Sequence, residues 1–119
     1  MEERKDIGFF DWLVHCEYKQ SKCKFSLMEV LIIFHDYFKY YQAFMGKDHP
    51  PIKRQQIRRI INAMEYVEDT DGTVIELYPF TYPALIEQYF CTDFKNCDRN
   101  INHFFSGQIR SVKYYESCY

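Results

Sequence analysis

The sequence predicts a mostly α protein: one compact domain over 1–119, about five helices, and at most a small β-hairpin or wing near 73–80. Three observations carry this. Apolar residues recur at helical spacing through most of the chain. The one stretch rich in β-branched residues is short, and no Gly/Ser or Pro-rich segment marks a domain boundary. The aromatic load, 11 Tyr, 11 Phe and 1 Trp in 119 residues, supplies more than enough bulk for a core.

Asp6 to Lys19 reads as the first helix, with Asp6 as N-cap. Phe9, Leu13 and Cys16 lie on one face, widened by Phe10, Trp12 and Val14. A basic link follows, containing Lys19, Lys22 and Lys24. Ser26 to Met45 is the strongest helix, opened by a Ser26/Glu29 capping box and closed by Gly46. Leu27, Val30, Leu31, Phe34, Phe38, Tyr41 and Met45 form its stripe, and Ile32, Ile33, Tyr37, Tyr40 and Phe44 spread the apolar arc past half the circumference.

After the linker Lys47–Pro51, a third helix is expected from Ile52 to about Tyr66, buried through Ile57, Ile60, Ile61 and Met64. Glu65, Glu68, Asp69 and Asp71 lead into a turn at Gly72. Thr73 to Phe80 suits a short edge strand or an extended link, limited by Pro79. Thr81 is placed to cap a helix running to Phe90, and Asp98 to cap another carrying Ile101, Phe104 and Phe105. The tail, Gln108 to Tyr119, fits either helix or strand.

Charge and cysteine content narrow the functional classes. A net charge of -2 disfavours a polyanion coat over the whole surface, although the 15 Lys and Arg cluster. Five cysteines at spacings unlike any common disulfide scaffold, with no secretory leader legible, are expected to be reduced thiols in a cytoplasmic protein. No apolar run is long enough to span a bilayer, so no membrane partner is expected.

The candidate site is the polar face of the third helix: Lys53, Arg54, Gln55, Arg58, Arg59 and Asn62. These are the side chains that contact phosphates and base edges from a helix in the major groove. Lys53 and Arg54 fall in the first turn, where the helix dipole disfavours cations by about 0.3 to 1 kcal/mol each, so local helix stability does not explain them. Helix, glycine turn and short strand also suit the order of a winged helix. The plain alternative is a solvated face, paired with the acidic tract beyond it; an acidic protein is the other possible partner.

Two further basic sets, Lys19/Lys22/Lys24 and Arg99/Arg110/Lys113, would strengthen a nucleic-acid reading if the fold brought either beside this helix. Lys47 is a further phosphate contact on that reading.

Other constellations weigh less. Cys91, Cys97 and His103 recur at six-residue steps, and His15-Cys16 with Cys23 offers a second half, but zinc sites pair ligands across two to four residues. No metal or other cofactor is expected. His35 and Asp36 are adjacent and point apart on a helix, no glycine-rich phosphate loop occurs, and catalysis is not expected. The reading is therefore a small, non-enzymatic, cytoplasmic binding protein that regulates through nucleic acid. The competing reading is a protein-interaction module, whether adaptor, inhibitor or homodimer, using its surplus aromatic surface.

Overall fold

A computed structural model describes residues 2–68, 72–92, 94 and 97–108. Among these, five α-helices and one two-stranded antiparallel sheet enclose a single hydrophobic core. The helices are α1 (Glu2–Gln20), α2 (Leu27–Met45), α3 (Arg54–Asn62), α4 (Tyr82–Cys91) and the single turn α5 (Ile101–His103). Strands β1 (Tyr66–Glu68) and β2 (Val74–Glu76) form a hairpin directly after α3. Its register is Tyr66 with Glu76, Val67 with Ile75 and Glu68 with Val74. A turn of 3-10 helix, Pro79–Thr81, feeds α4, and a π turn, Phe104–Gln108, follows α5.

Helix α2 is held at both ends as its sequence indicates. Ser26 Oγ accepts the Glu29 N–H at 3.1 Å, and the Glu29 carboxylate accepts the Ser26 N–H at 2.8 Å. Gly46 stops the helix at φ 74°, a conformation that L side chains resist, with its N–H on the Gln42 carbonyl at 2.9 Å. Because α1 and α4 both pack on α2, Ile33 and Tyr37 are buried along with Val30, Phe34 and Tyr41.

Four local expectations are corrected. Helix α1 begins at Glu2, so Asp6 lies inside it and is not its N-cap. Its buried side is also shifted: Phe10, Leu13 and Val14 reach the core as expected, but Phe9 and Trp12 are exposed and Glu17 is buried. Helix α3 ends at Asn62 rather than near Tyr66, because the chain turns through Ala63 and Met64 into the hairpin. Met64 is fully buried there, and its carbonyl accepts the Tyr82 hydroxyl proton at 2.6 Å. The cap of α5 is Asn100, whose Oδ1 accepts the Asn102 N–H at 2.9 Å; Asp98 instead bonds the Asn100 N–H. The tail beyond Gln108 lies outside the described residues.

Candidate functional site

The site is assembled where α1 packs along α3. Ile57, Ile60 and Ile61 are buried on one side of α3, which turns Arg54, Gln55, Arg58, Arg59 and Asn62 outward. A groove of about 480 Å³ runs over these five residues, with Glu17 of α1 as its remaining lining residue.

Glu17 organises two of the guanidinium groups. Arg54 donates from Nε and Nη2 to Glu17 Oε2, both at 2.9 Å, and Arg58 donates from Nε to Oε1 at 2.8 Å. The Glu17 side chain is only 5% exposed, whereas Arg54 and Arg58 are 56% and 47% exposed. Burial alone would raise the Glu17 pKa, but the hydrogen bonds and charges of Arg58 and Arg54 outweigh it, so the carboxyl sits below its ordinary range.

This pairing supplies the local compensation that the first-turn position of Arg54 required. It also means that Arg54 and Arg58 are not free side chains in water. Their partner is a helix α1 carboxylate rather than the acidic tract that follows α3. Each guanidinium carries five donors, so most of them stay available in the groove.

The other predicted residues are placed as follows. Among the described residues, Arg59 and Gln55 make no ion pair or side-chain hydrogen bond, and both are exposed. Asn62 has a structural partner: its Oδ1 accepts the backbone N–H of Lys22 at 3.1 Å. Lys53 stands exposed at the N-cap, with its N–H on Gln56 Oε1 at 3.0 Å, and does not line the groove. Nor does Lys47, in the turn after α2.

Of the two additional basic sets, the first has its Lys22 and Lys24 backbone held beside α3, and Arg99, the described member of the second, is not brought there. The Lys22 bond to Asn62 and a bond from the Lys24 N–H to Glu65 Oε1, 2.9 Å, pin the link between α1 and α2 beside the end of α3. Arg99 is buried instead: its guanidinium donates to the carbonyls of Tyr89 and Thr92, both at 2.7 Å, and closes the end of α4. Arg110 and Lys113 lie outside the described residues.

Glu17 is the organising residue that sequence reasoning missed. The signal was present: an acid falls on the same helical face as Val14, three positions on, and two arginines four apart wait on α3.

Elsewhere, His35 pairs with Asp11 of α1, Nε2 to Oδ1 at 2.8 Å, and not with Asp36. The four described cysteines, Cys16, Cys23, Cys91 and Cys97, are free. No group of three or more His, Cys, Asp or Glu suited to a metal occurs among the described residues. No helix among them is long and apolar enough to cross a membrane.

No family model, curated protein or solved structure matches this chain.

Proposed function

We propose that the protein is a non-enzymatic, cytoplasmic regulator that binds nucleic acid through α3 and the adjoining lysine link. The observation that carries this reading is the pinning of the Lys22 and Lys24 backbone to Asn62 and Glu65. It makes neighbours of two basic segments that are 40 positions apart in the chain. Arg54, Arg58 and Arg59 then lie beside the backbone of Lys22 and Lys24, together with the carboxylates of Glu17 and Glu65. Glu17 is buried beneath the arginines, so a ligand approaching the groove meets guanidinium donors first. Holding Arg54 and Arg58 in place also reduces the entropy lost when they grip a phosphate.

The hairpin after α3 occupies the place of a wing, but its exposed positions include Glu68 and Glu76. These disfavour a path along phosphates, so the contact is assigned to α3 and the lysine link. Phosphate contacts of this kind position a protein without specifying sequence. Gln55, exposed at the groove, is the side chain assigned to base edges.

The test substitutes Lys22, Lys24 and Arg59 by Ala together, because none of the three side chains bonds Glu17. Replacing Arg54 or Arg58 would strip a buried carboxylate of its partner and confuse binding with folding. Binding to a labelled DNA duplex, followed by fluorescence anisotropy, is expected to weaken at least about tenfold. The salt slope is expected to shrink by about one for each phosphate no longer neutralised. Unchanged affinity in a folded variant refutes the assignment.

A second reading rests on a different surface. Ile32 of α2 is 50% exposed and Phe80 is 77% exposed, around an apolar depression of about 340 Å³ with Glu29 and Asp36 among its lining residues. Large apolar side chains left in water at one depression favour a protein contact. Light scattering across a dilution series tests the homodimer version, which requires mass to fall with concentration. A constant monomer mass excludes it.

A further inference from the structure

Three chemically active side chains converge at the C-terminal end of α4, away from the groove. Cys97 Sγ lies 3.3 Å from His103 Nδ1 and 3.5 Å from the Tyr89 hydroxyl, and that hydroxyl lies 2.7 Å from the same ring nitrogen. The backbone N–H of Arg99 donates to the same sulfur at 3.3 Å. The sulfur is thus met by an N–H donor, a hydroxyl and an imidazole at once. None of the other described cysteines has an imidazole partner.

The fold fixes this arrangement. Tyr89 is buried on α4, and Phe94 packs edge-on against the His103 ring at 5.3 Å. Arg99 takes φ 60°, an uncommon conformation for a residue with a side chain. Its carbonyl accepts the Tyr37 hydroxyl proton at 2.7 Å, and its guanidinium is bound to the end of α4. The backbone that presents Cys97 is therefore anchored from two sides. Burial, and after it the bond to Cys97, hold the Tyr89 hydroxyl above its ordinary range, so it remains a protonated donor.

We infer that Cys97 is a nucleophilic thiol with His103 as its base, a modification site for small electrophiles such as hydrogen peroxide. The thiolate is the reactive form of cysteine, and an imidazole in contact is the usual means of generating it. In the peroxide reaction, His103 Nδ1 takes the thiol proton as sulfur attacks one peroxide oxygen. The S–O bond forms while the O–O bond breaks. Sulfur is oxidised by two electrons to sulfenic acid, and the departing hydroxide takes the proton from His103 and leaves as water. Cys97 is half-buried, which admits a small electrophile more readily than a bulky one.

The experiment is alkylation of the folded chain by iodoacetamide at neutral pH, with the rate at each cysteine read by peptide mass spectrometry. Cys91 is the internal standard because it is the more exposed thiol. Cys97 is expected to react at least about tenfold faster than Cys91, with the ratio collapsing to about one in urea. His103→Gln is expected to bring Cys97 down toward the Cys91 rate and leave Cys91 unchanged. Brief peroxide treatment followed by dimedone is expected to label Cys97 first.

A Cys97 rate equal to or below that of Cys91 in the folded protein overturns the proposal, as does a fast rate untouched in folded His103→Gln. If that variant fails to fold, the folded-to-unfolded rate ratio of the unsubstituted chain decides alone.

Discussion

Glu17 accepts the Nε–H of Arg58 at 2.8 Å from a buried position on α1, while the Arg58 side chain remains 47% exposed. The pair therefore has a hidden acidic half and a visible basic half. Arg54 completes it from the other carboxylate oxygen. One buried acid both joins α1 to α3 and leaves the joined surface basic.

Replacing Glu17 by Gln keeps the shape and removes the charge. The unfolding free energy at neutral pH is expected to fall by about 1.5 to 3 kcal/mol, the range for hydrogen bonds to charged groups. Urea melts that leave the midpoint unchanged would contradict the pairing.

The same carboxyl sets a pH dependence. Its folded pKa is depressed below the unfolded value. Its contribution is therefore complete above the ordinary glutamate pKa and is lost as pH falls through the folded value. The difference in stability between the unsubstituted chain and Glu17→Gln is expected to be constant from neutral pH down to about 5 and to shrink below about 4. A difference that grows on acidification has the wrong sign for this assignment.

Asn62→Ala removes the side-chain acceptor for the Lys22 N–H. That N–H is exposed and turns to water, so stability is expected to change by less than about 1 kcal/mol. DNA affinity is expected to fall several-fold because the lysine link is no longer held beside α3. Equal losses of stability and affinity would assign Asn62 to folding alone.

Arg99→Ala deletes the two bonds to the end of α4 and the stacking of the guanidinium 4.8 Å over Phe44 and 5.2 Å over Phe94. A loss of about 3 kcal/mol or more is expected in thermal or urea unfolding, from unpaired carbonyls and a vacated site. A near-neutral result would show that Arg99 is not a structural clamp.

Much of the fold was legible because local signals agreed with one another. Ser26, Glu29 and Gly46 bound α2 by caps that depend only on neighbouring residues. Ile57, Ile60 and Ile61 kept a helical period that tertiary packing preserved. Legibility failed where a long-range contact set the outcome. The burial of Glu17 depends on arginines 37 and 41 positions away, so its helical spacing from Val14 becomes decisive only once the fold brings those arginines beside it.

Strand β1 was hidden for a similar reason. Tyr66, Val67 and Glu68 read as the end of a helix and the start of an acidic tract until Val74, Ile75 and Glu76 pair with them. In the candidate site, the arginines could be read from the sequence. The adjacency of the lysine link could not, since it rests on Asn62 and Glu65 bonding the backbone of another segment. The burial of Arg99 likewise arises from carbonyls on α4.

The most direct measurement is the affinity of the unsubstituted chain for a mixed-sequence DNA duplex as a function of salt. If α3 and the lysine link neutralise about four phosphates, log affinity should fall against log salt with a slope of about −3.6, roughly a hundredfold loss between about 50 and about 200 mM. No binding at the lower salt concentration, or binding indifferent to salt, would contradict the account.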